Sequence, residues 1–206
     1  MPNWCSNDLI LRHEDTTKVD ALVRHIVNAL DADEGARLFQ YLHPRPDAEA
    51  DNWYDWNISN WGTKWDAMDI TLAWHGNNDL CLQFLTAWSP PLALYHHLEQ
   101  EGWVIEQALY KDEFLNFFGY YGTGGRDACY EDHNNLDPNM PEALREFLQP
   151  DIELEIEMAR HHEEMDALDR EDERNAFVPI PEFINIPHIG NELEVPDDDG
   201  TSENLD

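Results

Sequence analysis

Between residues 16 and 30 the apolar positions Val19, Leu22, Val23, Ile26, Val27 and Leu30 recur at intervals of three and four. That spacing places them on one face of a helix. Asp15 or Thr16 can cap its first turn, because a short side-chain oxygen there accepts an otherwise unpaired amide proton. Ahead of it, residues 7–13 form a short first strand. Farther on, Met68, Ile70, Leu72 and Trp74 alternate with mostly polar neighbours, then a turn signal runs from Gly76 to Asp79. Leu82, Phe84, Thr86 and Trp88 alternate again, and the pattern is that of a hairpin. Ser89, Pro90 and Pro91 predict a second helix, with serine as cap and proline where no amide donor is needed; it ends at Gly102. A last strand runs from Trp103 to about Tyr110 and pairs with Phe114–Phe118. The order βαββαβ predicts an α+β, ferredoxin-like fold: a four-stranded antiparallel sheet with two helices on one face.

Two stretches fall outside this pattern. About 35 residues between the first helix and residue 68 show no period, long for a connection in a compact domain, so they read as an insertion or a functional loop. Beyond residue 130, Pro141–Leu148 predicts a short helix and residues 152–174 a charged one, although Ile152, Leu154, Ile156 and Met158 alternate as a strand would. From Phe177 the chain is punctuated by proline and is expected to be extended. Residues 196–206 are expected to be a disordered acidic tail. The expected division is thus a domain over 1–130, an acidic appendage over 131–195 and a tail.

Composition sharpens that boundary. All eight tryptophans lie within the first 103 residues, whereas residues 131–206 hold 24 of the 44 acidic side chains and 4 of the 12 basic ones. The formal net charge of −32 repels phosphate polymers and anionic membranes, so direct nucleic-acid binding is not expected and a protein partner with a basic surface is. Cys5, Cys81 and Cys129 fit neither a zinc pattern nor a disulfide framework and suit a reducing compartment. No basic start followed by an apolar run opens the chain, and no stretch is apolar enough to span a membrane. The expectation is a cytoplasmic protein without cofactor.

Three segments together, MPNWCSN at the start, WNISNWGTKWDA over 56–67 and LQFLTAWSPP over 82–91, resemble the YubB-type ferredoxin-like family of phage- and plasmid-borne proteins. The resemblance spans residues 1 to about 125. It implies the same fold and a bacterial host, and it implies no activity.

The densest chemical signal is aromatic. Trp53, Tyr54, Trp56, Trp61 and Trp65 are interleaved with Asn57, Asn60, Lys64 and Asp66, and Lys64 is the sole Lys or Arg between Arg45 and Lys111. Such rings can form a ligand platform or simply pack a long loop onto the sheet. The glycine-rich stretch Gly119–Arg126 can cradle a phosphate with Arg126 as the charge, but it lacks a Gly-Lys-Ser/Thr ending and reads as a turn. Glu157, His161 and Glu164, like His162 and Asp166, have helical metal-ligand spacing without a true HExxH, and no metal site is assigned. Cys129 near His133 and Cys81 near His75 make no triad by proximity alone. The acidic residues Glu153, Glu155, Glu157, Glu163, Glu164, Asp169, Glu171, Asp172 and Glu173 form a candidate interaction surface.

Two functions compete. In the first, a non-enzymatic accessory protein of a mobile element binds a host protein, its carboxylates imitating nucleic-acid phosphates to counter host defence. It demands a continuous negative stripe. In the second, a small-molecule-binding or enzymatic domain uses the tryptophan loop over the sheet, with Asp66, His75 or Arg126 as polar anchors. It demands a concave site under residues 53–66.

Overall fold

A computed structural model describes residues 3–32 and 35–176. Its strands are β1 (Trp4–Arg12), β2 (Met68–His75), β3 (Asp79–Ala87), β4 (Val104–Asp112), β5 (Phe118–Gly122) and β6 (Arg126–Tyr130). The helices are α1 (Thr16–Asp31), α2 (Leu38–Leu42), α3 (Trp53–Asn60), α4 (Leu92–Gln100) and α5 (Glu142–Ala176), with a 3-10 turn at Asp47–Glu49. The chain divides into two units, Met1–Met158 and Ala159–Asp206.

The first unit is α+β, built on one six-stranded sheet of order β2-β3-β1-β4-β5-β6 with every pairing antiparallel. Strict alternation makes β1 its spine: Cys5, Asn7, Leu9 and Leu11 are buried and their neighbours are not. Leu9 lies opposite Leu82 of β3 on one side and Ala108 of β4 on the other. Val19, Leu22 and Ile26 of α1 and Leu94 and Leu98 of α4 close the same core. Asp15 caps α1 as expected, accepting from the Thr17 amide at 2.9 Å.

A second cluster joins Leu109 of β4 and Phe118 of β5 to Met140, Leu144 and Leu148. Leu109 and Ala108 are adjacent in a strand and so point to opposite faces; the start of α5 therefore covers the face away from α1 and α4. Lys111 reinforces the contact, donating to the Phe147 carbonyl at 2.8 Å and pairing with Asp151. Residues 131–158 accordingly pack within the first unit.

Several expectations change. The sheet has six strands because the glycine stretch is itself a hairpin. Its turn uses Gly124 and Gly125 at φ 90° and 74°, while Gly119 stands inside β5, where a Cβ would lie 2.3 Å from the Ala128 carbonyl oxygen. The partner of β4 is thus 118–122, not 114–118. Ser89 does not cap α4: its hydroxyl donates to the Gly62 carbonyl at 2.7 Å. The aperiodic insertion contains α2, α3 and the 3-10 turn, elements too short to show a period. The two helices expected beyond residue 141 are one, with Pro150 inside it, so the alternation over 152–158 is not a strand.

In the second unit, every side chain from Ala159 to Asp172 is exposed. At about 100° per residue, Glu163, Glu164, Asp166, Asp169, Glu171 and Asp172 occupy all sides of the helix, and no single stripe forms there. The expected extended segment from Phe177, the tail and the side chain of Glu173 lie outside the described residues.

Candidate functional site

The insertion between α1 and β2 folds around three side chains that each satisfy backbone or one another. Asp66 accepts from the amides of Phe39 at 2.7 Å, Gln40 at 2.9 Å and Ala67 at 2.8 Å, tying the start of α2 to the entry of β2. Burial raises its pKa, against the lowering effect of these three amides and the nearby Arg37 charge. Asn57, fully inside, donates to the Lys64 carbonyl at 2.8 Å and accepts from Arg45 Nη1 at 2.9 Å. Gln40 meets the main chain of Arg45 through both amide and carbonyl, at 3.4 and 3.3 Å.

The tryptophans divide into two groups. Trp61 is 3% exposed and belongs to the main core, its indole N–H donating to the His43 carbonyl at 3.0 Å. Phe39 and Trp56 pack edge-on against it at 5.8 and 5.5 Å. His43 stacks on Trp56 and lies 3.6 Å from the ring of His97; burial first, then His97, depresses its pKa. These rings fill space. Trp53, by contrast, is 36% exposed. Trp65 is half-buried, tilted against Trp4 at 6.3 Å, and Lys64 sits 4.6 Å from its centre and 4.8 Å from that of Trp88.

Gly62 locks the end of α3 against α4. It stands at φ 87°, and a Cβ there would meet the amide nitrogens of Ala93 and Leu92 at 3.1 and 3.2 Å. Thr63 adds a bond to the Ala87 carbonyl at 3.0 Å. The result is a cleft of about 470 Å³ lined by Arg37, Gln40, Arg45, Trp53, Trp65 and Asp66, with Trp61 and Asn57 at its floor. No family model, curated protein or solved structure matches the chain.

Of the expected site residues, the structure brings Trp53, Trp61, Trp65 and Asp66 together around this cleft. Trp56 packs against the core, and Lys64 is held between two indoles. Arg126 is elsewhere, on the β5–β6 hairpin, its Nε donating to the Thr123 carbonyl at 3.2 Å. His75 ends β2 and is exposed, away from the cleft. Arg37, Gln40 and Arg45 were not anticipated. The signal was present, since Arg37 and Arg45 are the only Lys or Arg between Arg24 and Lys64 and precede the aromatic segment of an acidic chain.

Two buried thiols lie outside the cleft. Burial pushes the thiol of Cys5 up to about 12; burial, then Asp8, does the same for Cys81, whose Sγ points at Asp8 Oδ1, 3.5 Å away. Neither is available as a thiolate near neutral pH. Among the described residues, no group of three His, Cys, Asp or Glu side chains is arranged to hold a metal ion, and no helix is long and apolar enough to cross a membrane. Glu153, Glu155 and Glu157 are exposed on α5, with Glu155 2.9 Å from His133. In the second unit, His162 approaches Asp166 at 3.9 Å, an ion pair only when the imidazole is protonated.

Proposed function

We propose that the first unit is a ferredoxin-like domain that binds a small molecule in the cleft beneath the tryptophan segment. The strand order β2-β3-β1-β4, with α1 after β1 and α4 after β3, supports the fold assignment; β5, β6 and the start of α5 are additions at the β4 edge. One observation carries the functional reading. Two arginines and two indole faces converge on a concavity of about 470 Å³, within the size range of small-ligand sites, while the neighbouring rings pack solid. The resemblance to the YubB-type family belongs to this proposal as well, and would put the chain on a phage or plasmid and in a bacterial cytoplasm.

A thermal-shift screen against a metabolite collection tests it. A ligand of the native state raises the melting temperature in proportion to its affinity. The expected hits lose their shift in Trp53→Ala, each shift being measured from the variant's own ligand-free melting point. Hits that Trp53→Ala leaves intact, or no hits at all, would remove the cleft from consideration.

A second reading concerns the acidic helix. Met165 and Leu168 stand 45% and 56% exposed among the carboxylates of residues 159–172. Exposed apolar side chains within a charged helix favour a protein partner over simple solvation. A host protein with a basic surface suits this arrangement. Carboxylates on all sides favour general electrostatic attraction over imitation of a nucleic-acid strand. Retention of such a partner at low salt, its release at high salt and its loss on truncation after Met158 would support this reading.

A further inference from the structure

We propose that the ligand of this cleft is an aromatic ring bearing an oxyanion, with the ring against Trp53 and Trp65 and the oxyanion held by Arg37 and Arg45. This rests on the reading of the cleft as a ligand site. It goes further by fixing the charge and shape of what binds.

Few polar groups on the cleft lining remain uncommitted. Gln40 and Asn57 are spent on Arg45 and on the Lys64 carbonyl. Asp66 has both carboxylate oxygens engaged by three amides, so its hydrogen-bonding capacity is directed to the fold. Arg45 is half-buried and uses one of its N–H groups on Asn57; a guanidinium carries five. The Arg37 side chain makes no hydrogen bond or ion pair with any described residue, and its charge lies near Asp66. Arg37 also holds φ 43°, a conformation that costs energy for a residue with a Cβ and that clusters at binding sites. Asp47 is the one other acid on the lining, and it sits on the exposed 3-10 turn at the rim.

Two alternatives fit less well. A cationic ligand would seek an indole face, but Lys64 already occupies that role between Trp65 and Trp88. A nucleic-acid chain would bring many phosphates toward a protein of net charge −32, whereas a small ligand brings one anionic group to the two arginines. Phosphate and carboxylate both match the guanidinium fork.

Isothermal titration of the full-length protein with four compounds sharing one ring decides the matter: 2-naphthyl phosphate, 2-naphthoate, 2-naphthylmethanol and 2-naphthylmethylammonium. At least one of the two anions is expected to bind about tenfold or more tighter than the alcohol. The tighter of the two identifies the oxyanion. Arg37→Gln is expected to erase this advantage while leaving the alcohol's affinity unchanged. Arg37→Gln keeps the backbone bond from the Tyr41 amide and removes only a side chain without a hydrogen bond among the described residues; Arg45→Gln provides the second arm, and circular dichroism checks the fold of both. Equal affinities for anion and alcohol, tighter binding of the ammonium, or an anion advantage that survives both substitutions would overturn the oxyanion assignment while leaving the cleft a ligand site. No binding by any of the four would overturn both.

Discussion

The tryptophan segment and the acidic helix both stand out in the sequence by composition alone, and the structure separates them. Across residues 53–66 the inward polar side chains are engaged: Asn57, Asp66 and Thr63 each bond backbone, and Trp61 is sealed in the core. Across residues 159–172 every side chain is exposed, and six carboxylates surround the helix. An excess of one residue type thus has two physical outcomes. Rings carry enough apolar area to build their own local core. Carboxylates cannot, and remain in water.

That contrast can be broken at its strongest point first. Trp61→Ala should cost about 3–5 kcal/mol, because it opens a cavity in the main core and strands the His43 carbonyl. Urea unfolding measures this directly. Asp66→Ala comes next, at about 2–3 kcal/mol, since three amides lose their acceptor. Asp66→Asn should cost less, and it adds a pH signature. The folded pKa of Asp66 lies above its ordinary value, so its contribution is fully present below pH 3.8 and declines as pH rises through the raised value. The stability difference between parent and Asp66→Asn should therefore shift in the variant's favour across that window, measured by unfolding at several pH values. A flat difference would contradict it.

Smaller effects sharpen the comparison. Trp53→Ala should cost about 1–2 kcal/mol, less than Trp61→Ala because Trp53 is 36% exposed, yet abolish ligand-induced shifts. Glu163→Gln with Glu164→Gln should leave the melting temperature unchanged, since both are exposed and make no ion pair among the described residues. A large loss in the double variant would mean the acidic helix is structurally engaged.

Much of the fold was legible because it rests on periodicity. The Val19–Ile26 stripe, the Asp15 cap and the alternation from Met68 to Thr86 each map onto an observed element, while Trp88, expected in the return strand, lies just past β3 at φ 73°. What escaped was contact at a distance. Gly119 weakens β5 as a strand by propensity, and only the closeness of Tyr110 and Ala128 explains why glycine stands there. Pro150 stands between the two expected helices, yet α5 continues through it, its first turns held by the packing of Leu144 and Leu148. At the site, the ring cluster was legible but its division was not, because burial of Trp61 and exposure of Trp53 depend on where α2 docks. Arg37 and Arg45 were hidden by their low density in the sequence; they matter because Asp66 and Asn57 fold α2 and α3 onto one rim.

The central claim is that the cleft binds a ligand through its open indoles. Nuclear magnetic resonance of the indole N–H groups during titration with 2-naphthoate tests it most directly, because the chain has eight tryptophans, which report separately. The account predicts saturable shifts at Trp53 and Trp65, smaller ones at Trp61 on the cleft floor, and none at Trp74 on β2 or Trp103. Shifts confined to Trp74 and Trp103, or no saturable shift at Trp53 and Trp65, would contradict it.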